Sequence, residues 1–153
     1  MVDMLKEQEM TLSLAESCTG GAIAARIVNV SGASEVFLQG MVTYSNKAKR
    51  RCLDVSKSTL KKHGAVSEEC AAEMAKGGRK AAETDICLSV TGIAGPGGGT
   101  KEKPVQDSAR ESVISCSFSI STTASSRVLD SSVAKTFLPN LAFSSLTTGL
   151  MSF

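Results

Sequence analysis

DICLSVTG, residues 85–92, is a near-continuous apolar run that opens into a glycine-rich loop, IAGPGGGT, at residues 93–100. A strand apolar on both sides suits the interior of a parallel sheet covered on both faces, the arrangement of α/β folds. The segment before it, SEECAAEMAKGGRKAAET (67–84), has helical spacing, with Ser67 as its N-cap and Glu68 and Glu69 in the first turn, where the helix dipole favours them. Gly77 and Gly78 weaken the middle of that helix, the alternative being a kink or close packing there.

Working outward, strands and helices alternate. TLSLA (11–15) reads as a half-buried strand ending in ESCTGG, and AIAARIVNV (22–30) as a helix whose small residues can pack on a sheet. SGASEVF then turns, with Ser34 at a helix N-cap position, and GMVTYS (40–45) is the next strand. Asn46 is placed to cap NKAKRR, while Ser56 and Gly64 bracket STLKKHG as a short helix. The expected fold is a three-layer α/β/α sandwich with a mainly parallel sheet.

Composition bounds the function. The 153 residues are 42% hydrophobic, enough for one domain with a real core. A net charge of +2, from 17 basic and 15 acidic residues, gives no single-sign field for nucleic acid or a membrane surface. The five cysteines are scattered without a C-x-x-C pair, and His63 is the one histidine, so no metal set is expected. Free thiols and the lack of a signal peptide or a bilayer-length apolar run fit a cytoplasmic chain.

Two Gly-rich loops, ESCTGG and TGIAGPGGGT, follow predicted strands, the place where open α/β sheets bind ligands and where glycines let amides approach an anion. Neither matches a dinucleotide or P-loop pattern, so plain turn chemistry stays open beside a phosphate-bearing ligand. A second constellation is Ser34, Tyr44 and Lys49. A serine nucleophile without a usable histidine needs another base, and a lysine desolvated or set among cations such as Lys47, Arg50 and Arg51 can serve. The alternative is a strand tyrosine beside a solvated basic helix face.

Four blocks, LAESCTGG (14–21), VTYSNKAK (42–49), HGAVSEE (63–69) and SVTGIAGPGGGTKEKPV (89–105), resemble the C-terminal domain family of the competence and damage-inducible protein CinA, in the family's order. The resemblance implies hydrolysis of the carboxamide of nicotinamide mononucleotide to nicotinate mononucleotide and ammonia, without a cofactor. It assigns the catalytic serine, lysine and tyrosine to Ser34, Lys49 and Tyr44, and its positions in the two loops fall on Ser17 and Thr91, so that both loops, with Thr19, Gly20, Gly21, Gly92 and Gly95, are expected to bind substrate. It also implies self-association into a homo-oligomer. Cys18 sits in a turn of a kind that activates thiols, but the resemblance places the chemistry on serine. His63 reads as a capping or surface residue.

The resemblance ends at Val105, which sets a domain over 1–105 and a divergent tail over 106–153. The tail holds 13 serines in 48 positions, against 9 in the first 105 residues, and neither Arg110 nor Arg127 matches the arginine that the family carries in this region. VISCSFSIS alternates Ile114, Cys116, Phe118 and Ile120 with serines, the pattern of a strand that could fill the gap left in the sheet; RVLDSSVAKTFL has helical spacing up to Pro139. Disorder is the other reading of this tail. The corresponding functional alternative is an inactive remnant that binds a nucleotide or a partner chain.

Overall fold

Leu12–Glu16 form β1, the strand on which the fold is built, and all five residues are buried. In the computed structural model, residues 1–93 are described in full and residues 115–122 as backbone. β1 is preceded by α1 (Val2–Glu7) and followed by α2 (Ala22–Val28), a 3-10 turn (Ala33–Glu35) and β2 (Phe37–Val42). Then come α3 (Asn46–Leu53), α4 (Lys57–Lys62), α5 (Glu68–Ala82), β3 (Ile86–Ile93) and β4 (Ser115–Thr122). The sheet order is β2-β1-β3-β4. β1 runs parallel to both neighbours, and β4 runs antiparallel to β3 from Ile86↔Thr122 to Ile93↔Ser115.

Side chains alternate across the strands, so each face of the sheet builds its own core. Leu12, Leu14, Leu88 and Val90 meet Val2 and Leu5 of α1 and Ile23 and Ile27 of α2. Ala15, Met41 and Cys87 meet Leu53 of α3, Val55, and Cys70 and Met74 of α5. This is the expected α/β fold with helices on both faces. Each fully buried Leu or Ile adds about 1.5–3 kcal/mol by leaving water. At the amino ends of β1 and β3, the amide and hydroxyl of Thr11 donate to Asp85 Oδ2 at 2.9 and 2.7 Å and hold the Asp85 carboxyl below its ordinary pKa.

Ser56 and Ser67 cap α4 and α5 as their positions predict, accepting from the amides of Thr59 and Cys70. Two caps differ. Ser45, not Asn46, caps α3, accepting from Ala48 N, and Ser34 lies inside the 3-10 turn rather than capping a helix. β2 also starts three residues before the expected Gly40, because as an edge strand it exposes Leu38, Gln39 and Gly40 and so lacks a clear inward pattern. The VISCSFSIS segment supplies β4. The helical pattern at 127–138 lies outside the described residues.

Candidate functional site

Because β1, β2 and β3 are parallel, the segments leaving their carboxyl ends meet at one end of the sheet. The chain leaves β1 at Ser17, whose amide donates to Val90 O at 3.0 Å and whose carbonyl accepts from Gly20 N at 3.1 Å. The turn into α2 uses Gly20 and Gly21 at φ of 60° and 100°, a backbone region that side chains with a Cβ rarely occupy. Glu16, the last residue of β1, is only 1% exposed. Its Oε2 accepts from Thr19 Oγ1 at 2.5 Å, Gly21 N at 3.1 Å and Ile23 N at 3.2 Å, and its Oε1 from Ala24 N at 2.8 Å.

The chain leaves β2 at Thr43, tied to β1 by a 2.7 Å bond from its amide to Glu16 O. Ser45 then starts α3, which carries Lys49 one turn later into the interior, where it is 1% exposed. Lys49 Nζ donates to Thr43 O at 2.8 Å and lies 2.7 Å from Ser17 Oγ, itself 6% exposed. Burial pushes the Lys49 pKa below the ordinary lysine value, against an opposing pull from Cys70 and Cys18. Burial also raises the Cys70 pKa, against an opposing pull from Lys49. A neutral lysine amine has two hydrogens and one lone pair. With one hydrogen fixed on Thr43 O, the lone pair can take the Ser17 proton.

Ser34 is not part of this arrangement. It is exposed and precedes β2, whereas Lys49 reaches the segments that follow β1 and β2. Leu12 N donates to Val36 O at 2.7 Å, which sets the turn bearing Ser34 at the amino end of the sheet. The length of β2 separates the two, about 16 Å at roughly 3.3 Å per residue. No proton passes directly over that distance, and the hydroxyl that the structure brings to Lys49 Nζ is that of Ser17.

Tyr44 follows Thr43 at the same end as Ser17 and is 69% exposed. Thr91 is buried on β3 and donates its hydroxyl proton to Ala65 O at 2.7 Å, which holds the loop between α4 and α5 and leaves that proton unavailable to a substrate. Gly20 and Gly21 likewise spend their amides inside the loop, on Ser17 O and Glu16 Oε2. Thr19 donates to Glu16, Gly92 is half-buried near the end of β3, and Gly95 lies outside the described residues. The anion expected at the first turn of α2 finds those amides already bound to a carboxylate. His63 ends α4, with Nδ1 2.9 Å from Glu69 Oε1. Among the described residues no group of three or more His, Cys, Asp or Glu side chains could hold a metal ion, and no helix is long and apolar enough to cross a membrane.

The closeness of Ser17 to Lys49 had a signal in the sequence. Segments that leave adjacent parallel strands meet, so a serine after β1 is a better partner for a lysine beyond β2 than a serine before β2.

The family model of the CinA C-terminal domain matches residues 1–109. A CinA-like protein of Thermotoga maritima is 58% identical over 105 residues, 69% of this chain and 26% of its own length. A CinA-like protein of Kosmotoga olearia is 60% identical over 105 residues, with the same coverage of 69% and 26%. The chain thus spans about a quarter of the length of these curated relatives. The crystal structure of the competence/damage inducible protein CihA from Agrobacterium tumefaciens matches with a TM-score of 0.66 at 45% identity, covering 68% of this chain and 63% of that one. The competence damage-inducible protein A of Klebsiella pneumoniae matches with a TM-score of 0.67 at 31% identity over 98% of this chain and 93% of that one.

Proposed function

The chain belongs to the CinA C-terminal domain family, and from that premise we propose that it is an amidohydrolase that converts nicotinamide mononucleotide to nicotinate mononucleotide and ammonia. The observation that carries this reading is the desolvated Lys49 amine, 2.7 Å from Ser17 Oγ. A lysine held below its ordinary pKa beside a buried serine is an activated nucleophile in search of a carbonyl. The resemblance of four sequence blocks to the amidase domain supplies the substrate.

In this mechanism neutral Lys49 takes the Ser17 proton while Ser17 Oγ bonds to the carboxamide carbon. The tetrahedral intermediate collapses by breaking its C–N bond, and the proton on Lys49 leaves with the amine as ammonia. Lys49 then takes a proton from water, whose oxygen attacks the acyl carbon, and returns it to Ser17 as the ester bond breaks. Thr43 O keeps the lysine aimed throughout. Tyr44, exposed on the segment that follows Thr43, is assigned to hydrogen-bond the substrate or the departing nitrogen. General-base catalysis of this kind contributes about 10²- to 10⁴-fold.

An acid quench of the protein during turnover of nicotinamide mononucleotide, followed by peptide mass mapping, tests the covalent route. The acyl group is expected on the peptide containing Ser17. An acyl group on a peptide containing Ser34, or turnover that leaves no acylated peptide under any quench time, would remove Ser17 from this role.

A further inference from the structure

We infer that Glu16 is a positioning residue for the nucleophile: its carboxylate locks the loop that follows Ser17 and takes the first-turn amides of α2 out of reach of the substrate's phosphate. The inference rests on the amidase reading of this site. Burying a carboxylate costs several kcal/mol unless its oxygens are satisfied. Glu16 meets that condition with four donors, all from residues 19–24, and charge-assisted bonds of this type are among the stronger ones in proteins.

The other helices around the site are capped more simply. Ser45, Ser56 and Ser67 each cap the helix that follows them in the chain. α2 (Ala22–Val28) instead has Gly21 as its N-cap, with no side chain to make a cap bond, and a strand residue reaches across to it. This bond set spans the nucleophile. Ser17 lies between Glu16 and the residues that Glu16 holds, with its amide fixed on Val90 O and its carbonyl on Gly20 N. The residue before the nucleophile thereby sets the path of the chain after it. The positive end of α2 is neutralised in the same step, so the phosphate of a nucleotide substrate is held elsewhere.

Oε2 accepts three of the four bonds and Oε1 one. In Glu16→Gln the amide oxygen can keep the three donors only if the new NH₂ faces Ala24 N, donor against donor. The loop shifts, and misplacement of a reacting group by about 1 Å costs on the order of 10²-fold in rate. The expected result for Glu16→Gln is therefore a kcat lowered about 10²-fold with KM within a factor of three of wild type. Thr19→Val removes one donor and lowers kcat less, and the double variant is no worse than Glu16→Gln alone, because both changes act on one bond set.

Three readouts keep the inference separate from the choice of substrate. Acetylation of Ser17 by p-nitrophenyl acetate reports nucleophile placement without any nucleotide; wild type that is acetylated but spares nicotinamide mononucleotide would refute the substrate and leave Glu16 to be judged on this rate. Amide hydrogen exchange at Gly21, Ile23 and Ala24 needs no activity at all, and it should accelerate in Glu16→Gln. If Glu16→Gln does not fold, Thr19→Val carries the same comparison. Wild-type kcat and exchange rates in the variants, a rise in KM at constant kcat, or losses that multiply in the double variant would overturn the inference.

Discussion

Among the described residues Lys49 is the largest fully buried side chain, and its ammonium-end partners there are a hydroxyl and a carbonyl. Burial there disfavours the protonated form more than the pull of Cys70 and Cys18 favours it, which is the property a base needs and a cost to the fold. The sign follows from linkage: a depressed folded pKa means that the unfolded chain binds more protons, so stability rises as pH climbs from the folded toward the unfolded lysine pKa. Activity follows the neutral form and is lost as pH falls through the folded pKa. Lys49→Met should therefore abolish turnover while raising the melting temperature by a few degrees at neutral pH; a variant melting well below wild type would show that the ammonium is stabilised rather than strained. At this scale the sequence singled out Lys49, Tyr44 and Ser17, but it paired Lys49 with Ser34, whereas the structure sets Ser17 beside it. Ser34 is nearer to Lys49 along the chain, and only the extended run of β2 carries it away.

α5 packs on the sheet through its glycines. A Cβ at Gly77 would meet the backbone carbonyl of Leu53 at the end of α3, and one at Gly78 would fall 2.6 Å from Cys87 Sγ on β3. The glycines that weaken this helix by propensity are what let α3 close over it, and α3 is the helix that delivers Lys49. Gly77→Ala gains roughly 1 kcal/mol of helix propensity but forces backbone apart, an overpacking cost of about 1–3 kcal/mol. Chemical denaturation should show a net loss of stability together with reduced amidase activity, since moving α3 moves the base; a stabilised, fully active variant would mean that α3 yields freely. Helices with serine caps and strands with a buried apolar run were readable in the sequence because local chemistry fixes both. The start of β2 was not, because an exposed edge carries no inward pattern, and the close α3–α5 approach left two readings of Gly77 and Gly78 that only packing could separate.

Across the whole molecule, a sheet of three parallel strands gathers the site at their carboxyl ends, and Ser17, Thr43 and Lys49 all come from the region matched by the family model. The Ser-rich tail adds β4 to the sheet, antiparallel to β3. The fold class was legible from the double-sided burial of DICLSVTG and the alternation around it, whereas the geometry of the site depends on which strand ends meet, a property of topology rather than of spacing. The central claim is that a Ser17–Lys49 pair performs amide hydrolysis. Its most direct test is ammonia release from nicotinamide mononucleotide by the purified chain and by its Ser17→Ala and Ser34→Ala variants. Wild type and Ser34→Ala should release ammonia at rates within about a factor of two, as expected for a surface change remote from the site, and Ser17→Ala should fall by at least about 10³-fold, the scale on which a lost nucleophile is felt. Ammonia release that survives in Ser17→Ala and vanishes in Ser34→Ala, or no release from wild type, would contradict it.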